Sequence, residues 1–281
     1  MDKVACRAKR RALRNHVLPK RAYSSALRAL LILSLYFAVV RPSFAGRPLT
    51  VDDAAPVPPR HLELEAGFFY RLPDAGGRDQ KWPVISAAYG VIDSLEFGLA
   101  IQRTNQDAPR EAPIKGFEDL HLTTKYRFLE QRESVPALAF SLDVKLPTAN
   151  RAKGLSSGKT DQALLLIATQ SWTPFMIHAN FGYTIVGDSV ENPLKNLLRG
   201  GLAGEWSLDS RWSLIGEVTG VSRSAKGEPN QADFQLGLRY ALQSGFVLDF
   251  AGGRSLRSSG TSIQGTFGIT WTVDVSALLK R

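Results

Sequence analysis

The sequence holds a single cysteine, Cys6, and no apolar run of 18 or more residues in its 281 positions. The shortage of cysteine excludes a disulfide framework, and the missing long apolar run excludes an obvious membrane-spanning helix. No His-Glu-x-x-His, Gly-x-Ser-x-Gly, phosphate loop or dinucleotide fingerprint occurs, and beyond residue 45 the histidines are His61, His121 and His178. The chain is therefore read as a non-enzyme without a cofactor or bound metal. The one enzymatic alternative is a membrane-embedded hydrolase using His121 or His178 with a neighbouring Ser. Gly252 and Gly253 with Gly260 read as turn or packing glycines rather than a ligand cradle.

The charge balance is uneven along the chain. The 35 Lys and Arg exceed the 26 Asp and Glu by nine. Residues 1–45 contain ten of the basic residues and one acid, Asp2, so they carry the whole excess. The remaining 236 residues balance 25 against 25, which excludes a nucleic-acid partner for the body of the protein. Within the basic segment lies the apolar run Ala29–Val40, between Arg28 and Arg41 and followed by Ser43-Phe44-Ala45. This pattern reads as a secretory signal peptide over 1–45, cleaved after Ala45, with a core helix as the bland alternative. Val17 or Leu18 is an alternative start. Cys6 lies in the removed segment, so the exported chain has no thiol. Residues 46–60, with Pro48, Pro56, Pro58 and Pro59, read as an extended leader on the periplasmic side.

From residue 61 onward the dominant signal is a period of two. Leu120, Leu122, Thr124, Tyr126 and Phe128 alternate with Asp119, His121, Thr123, Lys125 and Arg127. The same alternation recurs at 137–146, 233–240 and 263–273. It predicts strands near 61–71, 82–90, 94–103, 118–129, 135–146, 161–172, 175–186, 196–208, 211–222, 232–242, 245–254 and 262–273. The sixth is the least regular, because Leu164-Leu165-Leu166-Ile167 offers no polar face. The connections alternate between tight turns and longer polar loops, as in an outer-membrane barrel. Tyr89, Tyr126, Phe128, Trp172, Phe175, Trp206, Trp212, Tyr240, Phe246 and Trp271 collect at the tight-turn ends, where an interfacial girdle belongs. Tyr70 and Trp82 would begin a sparser second girdle. The resulting fold class is all-β, a transmembrane antiparallel up-and-down β-barrel of about 12 strands over 61–273, with a short tail at 274–281. A secreted sandwich or soluble barrel has the same alternation with the faces reversed.

Gly90-Val91-Ile92-Asp93-Ser94-Leu95-Glu96-Phe97-Gly98-Leu99, then Asp119 to Phe128, then Ser141 to Thr148 resemble segments of a known family. It is the group of bacterial outer-membrane proteins called the MetA-pathway of phenol degradation family. Asn180 to Tyr183, Glu217 and Gly220 fit its general run, and the resemblance covers roughly residues 60 to 273. It implies a transporter barrel in a Gram-negative outer membrane, passing aromatic or other hydrophobic small molecules. The sequence departs from similar barrels at Ala149 and Asn150 after Lys145-Leu146-Pro147-Thr148. It also departs at its end, where Trp271-Thr272-Val273 is followed by Asp274 to Arg281 in place of a terminal aromatic for the barrel assembly machinery.

In a membrane barrel the polar face lines the lumen. It would carry Glu63, Glu65, Glu96, Gln102, Asp119, His121, Lys125, Arg127, Asp143, Lys145, Arg199, Glu205, Glu217, Asp233, Arg239, Asp249 and Gln264. Asp119, His121, Lys125 and Arg127 with Asp143 and Lys145 form the densest run, expected as a constriction or a charge ladder; the bland reading is a set of cross-strand ion pairs or a hydrated wall. The leader contains no energising box and no plug-sized domain, which favours passive passage of an unidentified small solute. The competing reading is a structural or adhesive barrel with a closed lumen and partner-binding loops at 104–117 and 147–160. Arg151, Lys153 and Lys159 suit the second loop to anionic lipopolysaccharide, or to plain solvation; outer-membrane lipids are the remaining expected partner.

Overall fold

Alternating side chains on extended backbone give each strand one apolar and one polar face, and the arrangement of these faces sets the architecture. The computed structural model describes residues 46–74, 76–109, 111–187, 195–223, 230–257 and 262–276. The signal-peptide reading and most of the tail lie outside the described residues. In chain order the strands are β1 (His61–Pro73), β2 (Arg78–Ile92), β3 (Leu95–Asp107), β4 (Ile114–Phe117), β5 (Leu120–Leu129), β6 (Ala137–Leu146) and β7 (Asp161–Trp172). They continue as β8 (Phe175–Ile185), β9 (Leu197–Ser207), β10 (Trp212–Val221), β11 (Gln231–Gln243), β12 (Phe246–Arg257) and β13 (Ser262–Asp274). Every pairing between neighbouring strands is antiparallel, β13 pairs with β1, and β2 pairs with β3, so the sheet closes on itself. Because β4 and β5 both pair with β3, the 13 segments form 13 minus 1, or 12, staves.

The apolar face points outward. Leu99, Leu122, Phe140, Leu166, Phe181, Leu236 and Phe267 are exposed, and Leu202 is 58% exposed, whereas Lys125, Glu205, Glu217, Arg239 and Asp249 are buried. A water-soluble sandwich would place them the other way. Closure gives each stave a neighbour on both sides, with β4 pairing with β3 alone, and hydrocarbon requires such pairing because it offers no partner to a free N–H or C=O. Exposed Tyr126, Trp172, Phe175, Trp206, Trp212 and Trp271 ring the tight-turn end. Neighbouring rings touch there, Phe175 with Trp206 at 5.7 Å and Trp212 with Tyr240 at 4.6 Å between centroids. In the turn at 208–211, Asp209 accepts the N–H groups of Arg211 and Trp212 at 2.7 Å each; these bonds hold its carboxyl below the usual carboxylate range.

Strands β2 and β3 run farther than the alternation indicated, so the expected loops at 72–81 and 104–117 shrink. Arg78, Asp79, Lys81 and Asp107 read as loop because they are charged, yet they extend the sheet past the apolar band. The loop at 147–160 folds back on the barrel. Asn150 caps a short 3-10 turn, Arg151–Lys153, and Asp119 accepts hydrogen bonds from Ala149 N at 2.9 Å and Ser156 Oγ at 2.7 Å.

Residues 46–60 depart most from expectation. Expected as a periplasmic linker, this segment lies inside the barrel. Ala54 is fully buried against Ala137, Ala139 and Ile167, with Leu165 beside them. That contact explains the missing polar face of the sixth predicted strand: its inward residues pack on the leader.

The outward position of Leu202 gives a direct check. Leu202→Arg should destabilise the barrel in bilayers by about 2–4 kcal/mol, the depth-dependent cost of a cation on the lipid face, measured by urea unfolding from liposomes. A change near zero would mean that this face is in water.

Candidate functional site: the lumen and its leader

The site is the barrel interior, and its geometry starts with how the wall holds the leader. Both carboxylate oxygens of Glu217 on β10 accept the N–H of Thr50 at 2.9 Å, and one also accepts Val51 N at 2.8 Å. The Asn180 side chain on β8 accepts Asp52 N at 2.7 Å and donates to Asp52 O at 2.8 Å, copying a strand pairing with an amide group. Thr169 accepts Ala54 N at 2.9 Å and Glu96 accepts Val57 N at 2.5 Å. Gln235 donates to Pro48 O, and Arg239 donates to the carbonyls of Arg47 and Gly46.

Ion pairs cross from leader to wall. Lys125 Nζ lies 2.9 Å from Asp52 and 3.8 Å from Glu96. Arg47 Nε lies 3.5 Å from Asp249, and its Nη2 donates to Thr266 at 2.8 Å and to Phe267 O at 3.1 Å. The guanidinium rests on Gly67 and Gly268, which stand opposite each other on β1 and β13. A β-carbon at either glycine would overlap it.

A second group is centred on the wall. Arg239 Nη1 donates to Glu205 at 2.6 Å, His178 Nε2 meets the same oxygen at 3.2 Å, and His178 Nδ1 lies 3.0 Å from Thr169 Oγ1. Thr169 in turn holds Ala54, so this network reaches the leader. A buried carboxylate with two cationic or hydrogen-bonding partners is tolerated where a lone one is not.

The sequence-predicted residues therefore separate. Lys125, Glu217, Arg239 and Asp249 bind the leader, and Glu205 supports Arg239. At the loop end, His121 Nδ1 meets Asp143 at 2.8 Å, and Lys145 bridges Asp161 at 2.7 Å and Asp119 at 3.7 Å. Arg127 sits at the opposite end, donating to Asp93 O and to Glu130. Asp119 to Arg127 spans eight residues along one strand, roughly 26 Å at about 3.3 Å per residue. Of the two arrangements expected, a constriction or a charge ladder, these charges take the second, running down the height of the wall. His178, Thr169, Asn180 and Gln235 belong to the same networks and were missed by a reading based on acids, lysines and arginines; only their inward strand position marks them.

On the loop side of the leader a cavity of about 630 Å³ opens, with Arg47 to Val51 as its floor. Arg71, Lys81, Arg199, Asp79, Asp233 and Gln264 line its walls. Arg71 pairs with Asp233 at 3.8 Å and with Gln264 at 2.7 Å, and Lys81 pairs with Glu118 at 3.4 Å. Among the described residues no cluster of His, Cys, Asp and Glu could hold a metal ion.

Truncation of Glu205 to Ala leaves Arg239 buried without its counter-ion. The variant should unfold with a loss of roughly 3–5 kcal/mol in denaturant titration, the cost of breaking a buried pair, and Glu205→Gln with less.

Residues 42–273 match the protein family described as "Putative MetA-pathway of phenol degradation". No curated protein sequence matches the chain. Among solved structures, the COG4313 outer membrane channel from Pseudomonas putida F1 aligns with a TM-score of 0.61 at 13% identity, over 83% of this chain and 100% of that one. The NanC porin aligns with a TM-score of 0.53 at 9% identity, over 75% of this chain and 98% of the porin. Both likenesses are of fold alone. With the match extending over most of its length, the chain belongs to the MetA-pathway of phenol degradation family.

Proposed function

We propose that the protein is an outer-membrane channel for passive passage of small molecules, with aromatic compounds as the solute class. The observation that carries this reading is the inverted wall: apolar residues meet lipid, while a polar lumen holds a cavity of about 630 Å³. The family's association with phenol degradation supports the aromatic class. The tight-turn end faces the periplasm in this reading, and the loop at 147–160 faces outside, where Lys153 and Lys159 are exposed to lipopolysaccharide.

The cavity lining mixes Arg47, Arg71, Lys81 and Arg199 with Asp79, Glu217 and Asp233. Charges of both signs leave no strong field of one sign, so solutes are chosen by size and by hydrogen bonding more than by charge. The competing reading, a closed structural barrel with binding loops, draws on the leader that fills the lower lumen.

Solute entry into liposomes separates the two. Liposomes containing the refolded protein should take up phenol and benzoate faster than empty ones, with little preference between small anions and cations. Rates equal to those of empty liposomes, both for the whole exported chain and for a chain lacking residues 46–58, would support the closed barrel.

A further inference from the structure

We propose that the inner wall is a binding site for an extended peptide main chain, and that residues 46–60 occupy it as a releasable plug that closes the channel. This rests on the channel reading above and adds its regulation.

Three observations carry it. The wall reads the leader mostly through backbone groups: the N–H groups of Thr50, Val51, Asp52, Ala54 and Val57 and the carbonyls of Gly46, Arg47, Pro48 and Asp52 all meet wall side chains. The partners come from β3, β7, β8, β10 and β11, so the segment crosses the lumen rather than following one stave. Glycines also stand where the leader touches the wall. A β-carbon at Gly201 would fall 2.5 Å from Val51 Cγ2, and one at Gly90 would overlap the carbonyls of Val57 and Pro58.

The plug is also built to leave. Pro48, Pro56, Pro58 and Pro59 lack the N–H that a sheet ladder needs, and among the described residues the segment meets the sheet ladder only at its end, where Pro59 bridges Gly90 and Arg60 N donates to Gly90 O at 2.9 Å. Departure of residues 46–58 therefore unzips no strand. Both of its ends lie toward the tight-turn end: Arg60 precedes β1 there, and Gly46 is held by Arg239, next to Tyr240 in the aromatic girdle. A loop with both ends on one side withdraws without threading the barrel. The groups it uncovers, among them Glu217, Asn180 and Glu96, are polar and take up water.

The test uses the thiol-free exported chain in planar bilayers, with heat-modifiable gel mobility to score folding. Val51→Cys with Gly201→Cys places a disulfide across the seat. Oxidation should abolish conductance steps and reduction should restore them. A chain lacking residues 46–58 should show sustained steps, and a synthetic peptide of residues 46–60 added from the tight-turn side should block them. A locked chain that conducts like the reduced one, or a leaderless barrel that conducts no more than the whole chain, overturns the plug and leaves the channel standing. Folded barrels that never conduct, with or without the leader, overturn the channel reading and the plug with it.

Discussion

A strand in hydrocarbon has no water to satisfy its backbone, so every N–H and C=O must find a partner within the sheet, and only closure provides one for the last edge. That requirement places β13 against β1 and β2 against β3, and the character of the interior derives from it. Closure divides the side chains of each strand into two surfaces. Lipid takes Leu99, Phe140, Phe181 and Leu202, which leaves Lys125, Glu205, Glu217, Arg239 and Asp249 to the interior. A barrel this size cannot fill its interior with those side chains alone. The leader occupies the remaining space, and its backbone supplies donors to the acids of the wall.

The interior is consequently a set of matched deficits. Among the described residues Glu217 meets no cationic partner and instead accepts two leader N–H groups and the Gln235 amide. Arg239 spends one nitrogen on Glu205 and two on leader carbonyls. Lys125 serves Asp52 of the leader and Glu96 of the wall, and Glu96 also holds Val57. Removing the leader therefore changes the solvation of the lumen more than the pairing of any strand. This asymmetry lets a barrel stay rigid while its contents move.

The staves were legible in the sequence because a period of two survives wherever one face meets lipid and the other water. Their orientation was legible from the tryptophans at the tight-turn end and from the alternating loop lengths. Strand ends were not, since Arg78, Asp79 and Lys81 continue β2 above the lipid with no apolar face to announce it. The leader was misread because its prolines look the same in a free linker and in a segment held by side chains. Two signals did point to its true place. Gly67, Gly201 and Gly268 fall at inward positions where a polar side chain would be expected, and Leu165 and Ile167 break the alternation where Ala54 packs. Charge density marked Lys125, Glu217 and Arg239 as inward, but for the row from Asp119 to Arg127 it left open a ring or a column, and the structure has a column. Residues along one strand share a wall, and a constriction needs residues level with one another on several.

Binding of residues 46–60 by the wall of the folded barrel underlies both the filled lumen and its release, and amide hydrogen exchange on the refolded, exported chain tests it most directly. The N–H groups of Thr50, Val51, Asp52, Ala54 and Val57 should exchange far more slowly than those of a free peptide of the same sequence, and Glu217→Ala should speed Thr50 and Val51 before the others. Exchange of all five at the free-peptide rate, in a barrel whose strand amides remain protected, would contradict a leader held by the wall.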